Sequence, residues 1–301
     1  MATHLILGAG PIGSSLAAEL AARGEDVAVA TRSGTQLPGV RAITLDAADA
    51  GALTAAAEGA RTIYVCTNPP YHRWPTQWPP IVEAVIAAAR ATGAGVVMTG
   101  NLYAYGRPGG AMTPESAERP TESKGSTRAE MWQRLKSAHD AGEIRAAEVR
   151  ASDYFGPGTG TTNHLGSGFF TAVMSGKPAQ IVGNPSVPHA WAYAPDIARA
   201  LAAVGTRDDL WGRIWFAPHV AQLPAQEMAD RIAQLAGAPT PARVRQYPGW
   251  LVTVLAWFMP ALREVRKVAY QHTEPYLVDD SASRAALGVE PTPLAEALAA
   301  T

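Results

Sequence analysis

Two cationic side chains, Lys124 and Arg128, are the first candidates for chemistry in this sequence. They lie four residues apart in the segment TESKGSTRAEMWQRLKSAHDAG, which begins with polar capping residues and continues with helical periodicity. On a helix they would share one face and repel each other unless an anionic group lay in front of them. An anionic cofactor or substrate would supply that group. The alternative is a solvated helix face, because charged residues on helices are usually exposed.

A glycine-rich turn near the start of the chain has the spacing of a dinucleotide site. GAGPIG, residues 8–13, matches G-x-G-x-x-G between an apolar run that predicts a buried strand and a predicted helix. Its glycines would permit a tight turn, approach of a pyrophosphate to the backbone, and close packing of helix on strand. The residues expected at the phosphates are Gly8, Gly10, Pro11, Ile12 and Gly13.

The end of the second predicted strand indicates which dinucleotide is bound. NAD-binding proteins usually place an acid there, but this chain has Thr31 followed by Arg32 and Ser33. Arg32 could pair with a 2′-phosphate and Ser33 could donate to it, so the sequence favours NADP over NAD. Asp46, after the third strand, could accept from the adenine amino group or cap the next helix.

The positions of these candidate residues are set by strands and helices that alternate along the chain. Strands are predicted at 3–8, 26–31, 40–45, 61–67, 94–100 and 143–150. Helices are predicted at 11–24, after the third strand, at about 79–92, and around Lys124 and Arg128. This alternation predicts an α/β fold with a parallel sheet and helices on both faces. From about residue 156 the pattern is irregular and rich in Gly and Pro.

Composition narrows the class of protein. The chain has 301 residues, 47% of them apolar, and a net charge of −1, so we expect no general attraction to nucleic acid or to an anionic membrane. One cysteine, Cys66, fits a reducing compartment, and a strand starting near residue 3 leaves no room for a signal peptide. The apolar run 249–262 is too short for a typical membrane span and predicts a buried or partner-contacting helix. We therefore expect a cytoplasmic protein.

The loop after the fourth strand, residues 66–80, offers further contacts at the carboxyl edge of the sheet. Thr67 and Asn68 would lie near the nicotinamide ribose. Aromatic and basic side chains could form a wall for a substrate, or the proline-rich loop could simply pack on a second domain. Those wall residues are Tyr71, His72, Arg73, Trp74 and Trp78.

Histidines elsewhere are candidates for substrate contact. His164, His189 and the nearby Trp191 lie in the irregular second half of the chain. The seven histidines are scattered, and no His, Asp or Glu cluster has the spacing of metal ligands, so we expect no metal.

Taken together, the motifs resemble those of the extended and atypical short-chain dehydrogenase/reductases, the group that contains the NAD-dependent epimerase/dehydratases. The resemblance covers most of the chain. It depends on GAGPIG and on segments 98–106, 150–158, 189–201 and 278–298. It implies a doubly wound Rossmann-type sheet with a smaller C-terminal α/β substrate domain. The nucleotide-binding domain would comprise residues 1–160 with returning segments near 185–220, and the substrate domain about 161–185 and 220–301.

The resemblance also implies a reactive set of Ser or Thr, Tyr and Lys, in which Tyr exchanges a proton with the substrate oxygen. Here the matching positions hold Asn101, Lys124 and Arg128. Arg128 would hold the ribose, and its charge would favour proton release from Lys124. Lys124 would act as general acid or stabilise an oxyanion, and Asn101 would donate a hydrogen bond. Tyr103 is the best remaining phenol, ahead of Tyr105.

The segment RASDYFGPG would line the nicotinamide carboxamide if the resemblance holds. Ala151, Asp153 and Tyr154 would then contact cofactor or substrate, although Asp153 could instead cap a turn. Asp196 is expected to cap the following helix.

Three functional hypotheses follow. The first is an NADP(H)-dependent oxidoreductase or epimerase-like enzyme that acts on a small carbonyl or sugar-like substrate. The second is a non-redox enzyme on the same fold, with proton abstraction by Lys124. The third is a dinucleotide-binding sensor or scaffold without turnover. The resemblance slightly favours a homodimer.

Overall fold

The structure is a computed structural model that describes residues 3–160, 163–248 and 267–301. The apolar run 249–262, predicted as a buried or partner-contacting helix, lies outside the described residues. In the ranges that are described, no helix combines the length and the apolar character needed to cross a membrane.

Buried apolar runs form the central sheet. Its strands are β1 (Thr3–Leu7), β2 (Asp26–Thr31), β3 (Arg41–Thr44), β4 (Ala60–Val65), β5 (Gly95–Asn101), β6 (Ala146–Ala151) and β10 (Ile214–Phe216). Among the described residues they make a seven-stranded parallel sheet in the order β3-β2-β1-β4-β5-β6-β10. The order reverses between β1 and β4, where dinucleotides bind in doubly wound folds. The predicted fold class is confirmed.

Helices cover both faces of this sheet. They are α1 (Pro11–Ala22), α2 (Ala50–Ala56), α3 (Trp74–Thr92), α4 (Ser123–Asp140) and α6 (Ala194–Thr206). On one face, Leu16 of α1 packs in a core with Leu201 of α6. On the other, Leu53, Val85 and Leu135 join α2, α3 and α4 in a second core. The sheet therefore has apolar residues on both sides, as the continuous apolar strands predict.

The rest of the chain forms smaller sheets and a third core around Phe155, Trp191 and Met228. β11 (His219–Pro224), β9 (Pro188–Tyr193) and β7 (Tyr154–Phe155) make one sheet, and β12 (Val244–Gln246) pairs with β8 (Ala179–Ile181). The accompanying helices are α5 (Ser167–Met174), α7 (Ala225–Leu235), α8 (Ser281–Leu287) and α9 (Leu294–Ala299). Short 3-10 helices span Tyr71–Arg73, Tyr103–Tyr105 and Ala269–His272.

The predicted domain division stays a prediction. One detail bears on its boundaries, because Leu287 of α8 packs in the same core as α1 and α6. The C-terminal segment therefore returns to the large sheet.

Helix α3 begins earlier than its predicted start at about residue 79. It starts at Trp74 and continues through Pro79 and Pro80. Proline usually ends or kinks a helix, but Trp74 and Trp78, one turn apart, are both fully buried and anchor this first segment in the core. Tertiary packing therefore outweighs the local signal.

Candidate active site

The turn between β1 and α1 has the geometry of a phosphate-binding site. Gly8 has φ +104°, and a Cβ there would lie 2.8 Å from the Thr67 backbone. A Cβ at Gly13 would lie 2.1 Å from the Gly8 carbonyl oxygen, so helix and strand approach too closely for a side chain. At Gly10 that position faces open space. The first-turn amides of α1 have no intrahelical acceptor, so these residues fit a dinucleotide pyrophosphate.

The turn after β2 leaves its basic residue exposed. The Thr35 amide donates to Thr31 Oγ1 at 2.9 Å, and Ser33 Oγ lies 3.0 Å from Thr35 Oγ1. Arg32 is exposed and forms no salt bridge with any residue that the structure describes. A phosphate bound at this turn would therefore lie near the Arg32 guanidinium and the hydroxyl groups of Ser33 and Thr35.

Asp46 does not cap the next helix, contrary to one of its two expected roles. Its carboxylate accepts from the Ala48 amide at 3.0 Å in a local turn, while Asp49 caps α2 by accepting from the Ala52 amide. The contact of Asp46 with adenine stays a prediction.

Lys124 and Arg128 lie on the first turns of α4, which Glu122 caps by accepting from the Lys124 and Gly125 amides. Both cations are buried, with relative exposures of 1% and 6%. The alternative of a solvated helix face is therefore wrong. Helix α4 instead directs these two side chains inward.

Aromatic rings lie against both cations. Lys124 Nζ is 4.7 Å from the centre of the Tyr71 ring. The Arg128 guanidinium lies 4.5 Å and 4.7 Å from the Trp74 and Trp78 rings, and its Nη1 donates to the Thr99 carbonyl at 3.1 Å. Burial lowers the pKa of Arg128 to about 10, so it stays a cation at neutral pH. Cation–π contacts of this kind stabilise charges in places that water does not reach.

Tyr103 lies beside these cations at the end of β5. Its ring stacks on Trp74 at 6.1 Å and meets Tyr71 edge-on at 6.4 Å. Burial and the Asp153 carboxylate raise the pKa of Tyr103, although the neighbouring Tyr71 phenol and the Arg128 charge partly offset that rise. The phenol therefore keeps its proton at neutral pH. Tyr105 is less available, because its hydroxyl donates to the Pro114 carbonyl inside the core.

Asn101 and a glycine bring the strand end and the helix together. Asn101 Oδ1 accepts from the Tyr103 amide at 3.2 Å, which holds the turn after β5. A Cβ at Gly125 would lie only 2.5 Å from the Tyr103 carbonyl oxygen. Gly125 thus allows this turn to pack on the first turn of α4, and it brings Asn101, Tyr103 and Lys124 to one edge of the sheet.

A second cluster lies at the same edge and contains His272, which sequence reasoning missed. Asp153 Oδ2 lies 3.2 Å from His189 Nε2 and 3.3 Å from His272 Nε2, and His164 stacks on His272 at 3.9 Å. Burial alone would raise the pKa of Asp153, but the bond to His189 and the other imidazoles hold it well below its usual range. Burial lowers the pKa of His164 to about 4.

This cluster bears on the expectation of no metal. That expectation considered only spacing along the chain, whereas the fold brings Asp153, His189 and His272 together from three distant segments. Only the pairing of β9 with β7 and the position of the 3-10 helix after residue 266 reveal the cluster.

Beneath the site lies a buried ionic network, which the sequence also did not reveal. Arg150 Nε donates to Glu148 at 2.8 Å, and Arg150 Nη2 donates to Glu118 at 2.5 Å. Glu148 and Arg150 are both almost fully buried on β6. Their positions two residues apart place them on the same face of the strand.

The remaining predicted site residues differ in their exposure to solvent. Thr67 is half-buried beside Gly8, whereas Asn68 and His72 are exposed. Trp74 and Trp191 are buried and support the Tyr103 and His189 rings from behind. Ala151 is buried at the end of β6, and Tyr154 is half-buried on β7.

Asp196 does not cap α6. Tyr193 takes the N-cap position, and Asp196 lies fully buried inside the first turn. Its carboxylate accepts from the Thr292 amide at 2.8 Å and from Arg199 at 2.6 Å. Asp196 therefore links the C-terminal segment to helix α6, which packs on the large sheet.

Comparison with solved structures supports the fold over nearly the whole chain. MoeE5 in complex with UDP-glucuronic acid and NAD superposes with a TM-score of 0.79 at 21% identity, covering 99% of this chain and 97% of that chain. The dTDP-glucose 4,6-dehydratase from Bacillus anthracis in complex with NAD gives 0.80 at 14%, covering 99% and 94%. The UDP-glucose 4-epimerase from Thermotoga maritima with UDP-glucose gives 0.78 at 14%, covering 98% and 96%.

Sequence comparison gives the family. No curated protein matched the chain. The model of the NAD dependent epimerase/dehydratase family matches residues 4–214, which include the Gly8–Gly13 turn, Asn101, Lys124 and Arg128. The match covers well over half of the 301 residues. This chain is therefore an enzyme of the NAD-dependent epimerase/dehydratase family, with a site for a dinucleotide cofactor.

Proposed function

We propose that this enzyme uses NADP(H) to transfer hydride at a carbon–oxygen group of a nucleotide sugar, or of a related small carbonyl or sugar-like substrate. Three solved structures of the same fold contain UDP-glucuronic acid, UDP-glucose or NAD, as their descriptions state, which supports this substrate class. Asn101, Lys124 and Arg128 would replace the usual Ser, Tyr and Lys.

A single observation supports this proposal most strongly. Residues at the family positions converge with phenols at one edge of the sheet, because Lys124 lies on the Tyr71 ring and the Tyr71 ring meets the Tyr103 ring edge-on. Asn101 accepts from the Tyr103 amide in the same turn. A group of this kind can hold and protonate one substrate oxygen.

Each residue would have a distinct task at that oxygen. When bound, the nicotinamide supplies or accepts the hydride. Tyr103, whose pKa is raised by burial, keeps its proton and gives it to the oxygen as the carbonyl becomes an alcohol. The Lys124 ammonium stabilises the negative charge that develops there, and the Asn101 amide donates a hydrogen bond. In the oxidative direction the same proton returns to Tyr103.

Arg128 would act less directly than its family position suggests. Its guanidinium lies between the Trp74 and Trp78 rings and donates to the Thr99 carbonyl. In this position it supports the aromatic floor under Tyr103 and adds positive charge beside the phenol. A contact with the cofactor ribose through its remaining N–H groups is compatible with this position.

The test begins with turnover by the purified full-length chain. NADP+ or NADPH is incubated with a panel of UDP- and dTDP-sugars, ketones and aldehydes, and products are followed by NMR and by absorbance at the nicotinamide band. Lys124→Met keeps an unbranched apolar chain against Tyr71 but removes the charge. We expect it to lower kcat by about 10²–10³-fold, as the loss of one oxyanion-stabilising group does.

The matched control is Lys136→Met on the same helix, where Lys136 is exposed and paired with Asp140. Its turnover should equal that of the unmodified enzyme. Unchanged turnover in Lys124→Met would contradict the role of Lys124. Cofactor binding without any turnover across the panel would favour a sensor or scaffold. Turnover that continues at the same rate after the nicotinamide cofactor has been removed from the protein would favour a non-redox enzyme, because an epimerase or dehydratase regenerates its cofactor within each turnover and shows no net oxidation or reduction. Light scattering on the same sample tests the proposed homodimer.

A further inference from the structure

The Asp153 cluster joins residues from three separate elements. Asp153 follows β6, His189 lies on β9, and His272 ends a 3-10 helix. One nitrogen of each ring and one Asp153 oxygen all lie within 4.8 Å of one another. His189 is almost fully buried, so the cluster is held by the core rather than by a mobile surface.

The two distances from Asp153 to the histidine nitrogens match those between ligand atoms of a tetrahedral metal ion. Zn²⁺ binds histidine nitrogen and carboxylate oxygen at about 2.0–2.1 Å, so tetrahedral geometry places two ligand atoms about 3.3–3.4 Å apart. Asp153 Oδ2 lies 3.2 Å from His189 Nε2 and 3.3 Å from His272 Nε2. A small shift of each side chain would admit an ion between them.

The hydrogen bonds of His189 also favour a role as a metal ligand. Its Nδ1 lies 2.9 Å from the Gln271 carbonyl oxygen, which can only accept, so Nδ1 carries the proton. Nε2 then faces the Asp153 carboxylate at 3.2 Å and the Ser152 hydroxyl at 3.3 Å, and the facing lone pairs of Nε2 and Asp153 need a cation between them, either a proton on Nε2 or a bound metal ion. Metal-binding histidines are typically oriented in this way, with the second nitrogen donating to a backbone carbonyl. A second proton on His189, giving an imidazolium–carboxylate pair, is the competing explanation.

The surroundings favour neutral imidazole ligands. His164 and His272 stack with ring centres 3.9 Å apart and planes 7° apart, and two charged rings would repel each other at that distance. Trp191 and Tyr276 lie against His189 with ring centres 4.4 Å and 5.6 Å away. This apolar shell excludes water from the ligand side, as in many metal sites.

We propose that Asp153, His189 and His272 bind one divalent first-row transition metal ion of the Zn²⁺ type. Two histidines and one carboxylate are a common three-residue ligand set, and they leave coordination positions for water or a substrate oxygen. Asp153 follows β6 and Tyr103 follows β5, the neighbouring strand, so the ion would lie at the substrate edge of the sheet. This proposal does not depend on the proposed hydride transfer.

The experiment uses the full-length chain without an affinity tag. The protein is treated with a chelator, dialysed, and titrated with Zn²⁺ by calorimetry, with metal content per chain measured by mass spectrometry. Co²⁺ serves as a spectroscopic probe, because a tetrahedral nitrogen and oxygen site gives visible absorption bands. We expect one ion per chain and a higher melting temperature in its presence. Failure to bind Zn²⁺ or Co²⁺ in stoichiometric amount would overturn the proposal in favour of the imidazolium pair.

Two variants locate the site and one serves as control. His272→Gln and Asp153→Asn should each weaken Zn²⁺ binding by more than the ~10–100-fold that loss of an outer hydrogen bond costs, and each should abolish the Co²⁺ bands. Asp153→Asn keeps the shape of the side chain, so it remains informative if His272→Gln folds poorly. His72→Gln, at an exposed histidine, should bind as the unmodified chain does. Equal binding by all three variants would place the metal elsewhere and refute this site.

Discussion

Arg32 offers the sharpest test of cofactor choice. It lies in the turn after β2, is exposed, and forms no salt bridge with a described residue, so removing it breaks no ion pair in the described part of the chain. Thr31 takes the position of the usual acid and is engaged with the Thr35 amide. If NADP is the cofactor, Arg32→Ala should weaken NADPH binding and leave NADH binding nearly unchanged.

The magnitude follows from the contact that would be lost. A hydrogen bond to a charged group contributes about 1.5–3 kcal/mol, and Arg32 can form two with one phosphate. Because the side chain is exposed, solvent screening places the loss near the lower end, about 1.5–2 kcal/mol. Since 1.4 kcal/mol is a factor of ten, Kd for NADPH should rise about 10–30-fold. Ser33 would add about 1 kcal/mol through its hydroxyl.

The assay measures Kd for NADPH and NADH through quenching of tryptophan fluorescence, at low and at high salt. Arg41→Ala is the matched control, because Arg41 is exposed at the opposite end of the neighbouring strand β3. We expect only Arg32→Ala to reduce the ratio of the two affinities, and salt to weaken NADPH binding more than NADH binding. Equal affinity for both cofactors in the unmodified protein, or an equal loss for both in Arg32→Ala, would refute the argument.

Two further predictions concern stability and are measured by urea denaturation. Arg128→Ala should lower the free energy of unfolding by about 2–3 kcal/mol, because it removes a desolvated cation from two indole rings. The control Arg134→Ala, on the same helix, should lower it by less than about 1 kcal/mol. Similar losses in the two variants would contradict the role of the indoles. Glu148→Ala should lower the free energy of unfolding by about 3–5 kcal/mol, because the buried Arg150 charge would lose one of its two carboxylate partners. The control Glu83→Ala removes an exposed ion pair and should lower it only slightly. A small loss in Glu148→Ala would contradict the importance of this ionic network for stability.

Much of the sheet was predictable because β1, β2, β4 and β5 are mainly apolar runs, whereas β10 was not predicted and β6 contains the buried Glu148 and Arg150. The strand predicted at 26–31 has those bounds in the structure, and the strand predicted at 94–100 shifts by one residue. The start of α3 was not predictable from local signals. Pro79 and Pro80 indicate a boundary, but the burial of Trp74 extends the helix by a further turn, and burial is a property of the whole fold.

The candidate site was predictable only where its residues are close in sequence or follow a known motif. Spacing alone was enough to place Lys124 and Arg128 on one helix. Their inward direction depends on aromatic residues of other elements, Tyr71 of the 3-10 helix for Lys124 and Trp74 and Trp78 of α3 for Arg128. The contact of His189 with Asp153 requires β9 to lie beside β7, and that of His272 requires the chain to return to this edge. Such long-range pairings leave no periodic signal in a single sequence.

The proposed proton relay differs from the family pattern in which element supplies each group. In the family pattern the phenol is on the helix and a cation lies one turn later. Here the helix bears Lys124 at the phenol position, and the phenol Tyr103 lies on the turn after β5, where its ring meets that of Tyr71 edge-on. Under the proposed function, the phenol and the cation would therefore come from different elements than in the family pattern. This exchange explains why a search for Tyr and Lys four residues apart fails although groups of both kinds meet at the same edge of the sheet.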